Sequence, residues 1–184
     1  MEVVNTAIEG VYIIEPRVFG DARGYFFESF NEREFAGKIG KSVRFVQDNE
    51  SLSCYGVLRG LHFQQPPYAQ SKLVRVVKGM VLDVAVDIRK GSPTYGRYVS
   101  VELSAENHRQ IFIPKGFAHG FSVLSDEVIF QYKCDEFYHP ESEGALAWDD
   151  PDLAIDWRLP ADKVLLSEKD KHHQSFRTFQ TPFV

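Results

Sequence analysis

Cysteine is scarce in this chain of 184 residues: there are two, Cys54 and Cys134, and neither belongs to a C-x-x-C pattern. That sets aside a disulfide scaffold and a C-x-x-C metal or redox centre, and it points to a reducing compartment. Long apolar runs are missing too, since no segment approaches the roughly 20 apolar residues of a membrane span. The opening stretch MEVVNTAIEGVYIIEP has neither the basic patch nor the apolar stretch of a signal peptide. A cytoplasmic protein with no membrane partner is expected. Nor is positive charge in excess, because 21 Lys and Arg against 26 Asp and Glu leave a net charge of -5. Nucleic acid is therefore not an expected partner, although a local basic pocket for one anionic ligand stays open. No low-complexity stretch or fixed-period repeat is visible, so solenoids and propellers are not supported.

What is present is globular: 43% hydrophobic and 26% charged residues, over a length that suits a single domain across 1–184. Short runs bounded by turn residues read as strands at Val11–Glu15, Tyr25–Phe30, Val43–Gln47, Val57–Phe63, Lys72–Val77, Met80–Ile88, Tyr98–Leu103, Gln110–Ile113, Gly120–Leu124 and Glu127–Cys134. Asn31-Glu32-Arg33-Glu34 resembles a capping box opening a short peripheral helix that stops at Gly37 or Gly40. Between Met80 and Ile88, Leu82, Val84, Val86 and Ile88 alternate with Asp83, Ala85 and Asp87, as in a half-buried antiparallel strand. From about residue 135 the pattern gives way to a loop-rich C-terminal part marked by Pro140, Pro151 and Pro160. The expected fold is mainly β, an antiparallel jelly-roll barrel with short peripheral helices and a mouth able to hold a small molecule.

Two stretches carry chemistry. In Val57-Leu58-Arg59-Gly60-Leu61-His62-Phe63-Gln64 a cation and an imidazole interrupt an apolar strand. Strict alternation puts Arg59 and His62 on opposite faces, so a shared site requires a bulge near Gly60 or a neighbouring subunit. The run Ile113-Pro114-Lys115-Gly116-Phe117-Ala118-His119-Gly120-Phe121 contains P-x-G-x-x-H, which resembles the second cupin motif. The first-motif counterpart offers His62 and Gln64 with no nearby glutamate, an incomplete set for Fe, Zn or Mn, and no metal is expected.

With these pieces in place, the sequence resembles the dTDP-4-dehydrorhamnose 3,5-epimerase family over nearly its whole length. The resemblance runs through FGDARG (19–24), FES (27–29), FVQDN (45–49), VLRGLHFQ (57–64), KLVR (72–75), DVAVDIR (83–89), IPKGFAHGF (113–121) and LSEKD (166–170). It implies a cupin jelly roll that works without cofactor or metal, a homodimer, and dTDP-4-dehydro-6-deoxyglucose as substrate. It also assigns roles: His62 as general base, Asp170 orienting its ring, Tyr132 as the acid across the sugar and Lys72 at the enolate oxygen. Arg23, Arg59 and Lys169 become candidates for the diphosphate. Glu28, Gln47, Asp48, Asn49, His119 and Glu143 become pocket residues, and Phe19, Phe26 and Tyr138 weaker stacking candidates. Arg23 and Glu28 could enter the pocket of a second copy. The adjacent His172 and His173 are read as solvated tail residues with no site role.

Three other readings compete: an epimerase acting at C3 alone, a metal-dependent cupin enzyme, and a noncatalytic nucleotide-sugar-binding cupin. Deuterium incorporation at C3 and C5 separates the first and third from double epimerisation, and metal analysis separates the second.

Overall fold

The computed structural model describes residues 1–183. Thirteen strands are found among them: β1 (Glu2–Asn5), β2 (Tyr12–Glu15), β3 (Val18–Asp21), β4 (Gly24–Phe27), β5 (Gln47–Cys54), β6 (Leu58–Gln64), β7 (Lys72–Lys78), β8 (Met80–Asp87), β9 (Tyr98–Ser104), β10 (Gln110–Ile113), β11 (Phe117–Val123), β12 (Glu127–Cys134) and β13 (Glu143–Ala145). One helix, α1 (Glu32–Ile39), follows the β3–β4 hairpin. Asn31 caps it by accepting from the Glu34 amide, and Gly40 ends it in the left-handed region at φ 74°. Of the two expected stops, Gly40 is the one used.

The strands form a six-stranded sheet, β1-β2-β10-β7-β12-β5, facing a five-stranded sheet, β13-β6-β11-β8-β9, with β3-β4 as a separate ribbon. All of these pairings are antiparallel. The apolar cluster between the sheets draws Val74 and Val76 from β7, Val99 and Val101 from β9, Phe121 from β11 and Phe130 from β12. A second cluster lies on the outer face of the five-stranded sheet, where the C-terminal segment lays Leu146, Leu153, Trp157, Phe179 and Phe183 over Leu82, Val84, Val86 and Ile88. A third packs α1, through Phe35, onto Ile14, Leu73 and Phe112.

The second cluster reverses the expected polarity of β8. Its apolar residues face outward under the C-terminal segment, while Asp83, Ala85 and Asp87 face inward, and Asp83 and Asp87 are fully buried. A solvated polar face was expected because the loop-rich segment that covers the other side carries no strand pattern. The expected strand at Val43–Gln47 also moves. Val43 and Phe45 pack beside α1 as extended chain, and β5 begins at Gln47 with the polar run QDNESLSC. Its alternation is of polar residues, which the apolar period does not report. β1, β3 and β13, of three or four residues each, also went unread.

Asp87, at the end of β8, accepts from the Arg89 amide and guanidinium and from the Ser92 and Thr94 hydroxyls. Burial pushes its carboxyl pKa up, but these donors outweigh burial and hold it at about 2. A depressed folded value stabilises the fold above the unfolded pKa, and this contribution is lost as pH falls through about 2. Asp87→Asn is expected to cost about 2 kcal/mol in urea unfolding at pH 7. The gap between wild type and variant should close as pH falls from 4 to 2; a gap independent of pH would contradict the assignment.

Candidate active site

The placement of His62 turns on the pairing of β6 with β11. His119 lies opposite His62 and Phe121 opposite Arg59, so the one residue between His119 and Phe121 corresponds to two, Gly60 and Leu61, on β6. The extra residue is a bulge, and it brings Arg59 and His62 onto the same inward face as His119 and Phe121. Gly60 holds it with φ 137°, and a Cβ there would meet the Gly120 Cα at 2.6 Å. The bulge required on the single-chain alternative is thus present.

Across the space between the sheets stands Tyr132 on β12, linked to the β11 wall by a row of rings. Phe130 lies 6.3 Å from His119 and 6.0 Å from Tyr132. Lys72, on neighbouring β7, puts its Nζ 5.6 Å from the centre of the Tyr132 ring. Burial pulls the Lys72 ammonium below the ordinary lysine pKa, opposed by the charges of Asp83 and Glu143. Burial pushes the Tyr132 phenol above its ordinary value, so it stays a proton donor at neutral pH.

Asp170 comes from a 3-10 turn of the C-terminal segment, Lys169–Lys171. Its Oδ1 lies 2.5 Å from His62 Nε2, and its Oδ2 accepts from Ser167 at 2.9 Å. Burial raises the carboxyl pKa, but the bonds and charge of His62, with help from His173 and Ser167, outweigh it and hold the value at about 2. The anion fixes the hydrogen of a neutral His62 on Nε2 and leaves Nδ1 as the acceptor. With 28% of its side chain exposed, the ring is open to a ligand.

At the rim, Glu143 on β13 accepts from the Tyr138 hydroxyl and pairs with Lys169. Gln47 joins Asn49 on β5 and accepts from the Tyr138 amide, and Arg59 bonds Ser53. These contacts gather Glu143, Tyr138, Lys169, Gln47 and Asn49 at one rim. His119 lies deeper and is almost fully buried, with its Nε2 2.9 Å from Asp83 Oδ2. Five candidates stand apart from the cluster, Phe19 among them, exposed on the β3–β4 ribbon. Asp48 lies on the outward face of β5, bonded to Lys133. Arg23 is paired with Asp21, Glu28 with Asn31, and Phe26 is 69% exposed on the β3–β4 ribbon.

Two residues were missed. Asp83 read as a solvent-facing strand residue. His173 read as tail, yet its Nε2 lies 3.1 Å from Asp170 Oδ1 and its side chain is 11% exposed; His172 is exposed as expected. The spacing of Asp170 and His173, three apart in a turn, was the available signal. A cupin metal on His62, Gln64 and His119 does not fit. The Gln64 amide is spent on the Tyr68 and Phe137 carbonyls and the His139 amide, and His119 is spent on Asp83.

Cys134 pairs with Lys72 in the strand register, and burial pushes its thiol up to about 11, whereas Cys54 is exposed. Alkylation at pH 8 is therefore expected to label Cys54 and spare Cys134 until the protein unfolds. Equal labelling of the two in the folded protein would contradict this packing.

Comparison with known proteins follows the same lines. The family model described as dTDP-4-dehydrorhamnose 3,5-epimerase matches residues 5–178. The Shigella flexneri protein of that name is 57% identical over 176 residues, covering 96% of each chain. Among solved structures, the dTDP-4-dehydrorhamnose 3,5-epimerase of Elizabethkingia anophelis superposes with a TM-score of 0.93 at 52% identity, covering 96% of this chain and 97% of that one. A Legionella pneumophila dTDP-6-deoxy-D-glucose-3,5-epimerase, solved with dTDP-4-keto-L-rhamnose, gives 0.95 at 51% identity, covering 100% and 98%.

Proposed function

The chain belongs to the dTDP-4-dehydrorhamnose 3,5-epimerase family, and from that premise we propose that His62 and Tyr132 exchange protons with the two faces of the sugar ring. The reaction converts dTDP-4-dehydro-6-deoxy-D-glucose to dTDP-4-dehydro-L-rhamnose by inverting C3 and C5. The chain is an isomerase of dTDP-rhamnose synthesis with a cupin-like fold.

The observation that carries the reading is the opposition of His62 and Tyr132 on facing sheets, one bonded to a buried carboxylate and the other kept protonated by burial. A C4 ketone acidifies the hydrogens at C3 and C5, and inversion requires a base on one face and an acid on the other. His62 Nδ1 takes the carbon-bound proton. The imidazolium that forms is stabilised by the Asp170 anion at 2.5 Å. The electrons pass to the C4 oxygen, where the Lys72 ammonium stabilises the enolate. Tyr132 then returns a proton from the opposite face.

Arg59 and Lys169 are the rim cations suited to the diphosphate, with Tyr138, Gln47, Asn49 and Glu143 ordering the sugar or base. Arg23, Phe26 and Glu28 are read as serving a second copy in a homodimer. In support, Phe19, Tyr25 and Phe26 stand 51%, 62% and 69% exposed on the ribbon, more apolar ring surface than one chain covers. A cytoplasmic location is supported by two unpaired cysteines, and no helix among the described residues is long and apolar enough to cross a membrane.

Incubation with the substrate in deuterated water is expected to place deuterium at both C3 and C5 in the wild-type protein. Label at C3 alone would move the reading to a single epimerase. His62→Asn should slow exchange at both carbons by at least about a hundredfold. Lys72→Met should lower kcat by roughly a hundredfold to a thousandfold with KM little changed. Exchange at the wild-type rate in His62→Asn would refute the assignment of the base.

A further inference from the structure

The reaction uses His62, Asp170, Tyr132 and Lys72, and leaves His173 without a part. Yet His173 is held close to the base. His62 Nε2 and His173 Nε2 both approach Asp170 Oδ1, at 2.5 and 3.1 Å, and the three atoms lie within 4.8 Å of one another. The two imidazole rings stand at 89° with centres 5.7 Å apart, so their Nε2 atoms reach the carboxylate oxygen from different directions. Oδ2 is engaged by Ser167, which orients the carboxylate and leaves Oδ1 toward the two rings. Two imidazole nitrogens and one carboxylate oxygen make a donor set suited to zinc-class cations, and His62 opens to solvent, where water can complete a tetrahedron. Ligand bonds of about 2.0–2.2 Å put tetrahedral donors about 3.3 Å apart. The spacings of His62 and His173 from Asp170 Oδ1, 2.5 and 3.1 Å, lie below that value, so a cation would spread the donors slightly.

We propose that His62, Asp170 and His173 form a binding site for Zn2+ and similar divalent cations, and that filling it switches the epimerase off. The switch rests on the reading of His62 as the base. A cation on Nε2 occupies the place of the hydrogen that Asp170 now holds. The neutral ring keeps that hydrogen, moved through water from Nε2 to Nδ1, and His173 shifts its own in the same way. No net proton is released by the neutral rings. Nδ1 then carries a hydrogen and cannot accept one from carbon, while the Asp170 charge is directed to the cation. This position shares His62 with the cupin metal position, whose other residues, Gln64 and His119, are spent on other bonds.

The test uses the chelator-treated full-length protein, with binding measured apart from turnover. Titration with Co2+ should develop the ligand-field absorption of a tetrahedral nitrogen and oxygen site at one equivalent per chain, and calorimetry with Zn2+ should give the same stoichiometry. His173→Gln should weaken Zn2+ binding by at least about tenfold, and His173→Cys, which offers a thiolate in place of the imidazole, should retain it. Circular dichroism and the melting temperature show whether each variant is folded. For each protein the deuterium-exchange rate is compared with and without Zn2+. In the wild type and His173→Cys, Zn2+ should cut the rate by at least about tenfold, with recovery on adding EDTA. In His173→Gln, the same Zn2+ concentration should leave the rate within about twofold of its metal-free value. Absence of stoichiometric binding, binding indifferent to His173→Gln in a folded protein, or a filled site with an undiminished rate would each overturn the proposal. Undiminished exchange in metal-free His62→Asn would instead strike the assignment of the base, which the Co2+ spectrum does not depend on.

Discussion

At Gly60, strand β6 carries one residue more than its partner β11, and the site depends on that difference. Without the bulge, the period of two would send Arg59 and His62 to opposite faces, leaving one of them in the cluster beneath the C-terminal segment. With it, both face Tyr132 and Lys72 across the space between the sheets. The bulge in turn depends on two glycines. Gly60 needs a positive φ, and a Cβ at Gly120 would lie 2.7 Å from the Arg59 carbonyl oxygen. The proposed chemistry, with base and acid on opposite walls, thus rests on backbone sterics before any side-chain electrostatics act.

The C-terminal segment links stability to chemistry. Leu146, Leu153, Trp157, Phe179 and Phe183 cover the outer face of the five-stranded sheet, and the same segment carries Asp170 to His62, 108 residues away in the chain. Because the outer face is dry, β8 can turn its acidic residues inward, where Asp83 holds His119 and acts on Lys72. The charges alternate through the interior: the Asp170 anion behind His62, the Lys72 cation beside Tyr132, and Asp83 bonded to His119. Each is partly or fully removed from water, so each acts more strongly than it would at the surface.

Much of this was legible in the sequence wherever period and turn chemistry agree. The Asn31 cap and strands β6 to β12 follow from apolar alternation between turn residues, whereas Lys78-Gly79, which reads as a hairpin turn, instead carries the chain from β7 in one sheet to β8 in the other. β5 was misplaced because QDNESLSC alternates polar residues, one set lining the site and the other the outer surface. Asp83 was given the wrong face because alternation yields a period but not its direction, which was set by a covering segment that has no pattern of its own. The four proposed catalytic residues came from resemblance, since no local rule joins His62 to Asp170 across so long a separation. His173 was passed over because a histidine in an irregular tail has no period to distinguish it, and only the turn at Lys169–Lys171 brings it to the carboxylate.

The central claim is that His62 and Tyr132 work from opposite faces of one sugar ring, and the Tyr132→Phe variant tests it most directly. A single turnover in deuterated water, followed by NMR of the recovered nucleotide sugar, reports exchange and configuration together. With His62 intact and the opposing donor removed, the account predicts deuterium entering at the abstracted carbon with configuration retained, because the base returns a solvent-equilibrated proton to the face it took one from. Inversion at both carbons at the wild-type rate would contradict the account and place the second proton carrier elsewhere.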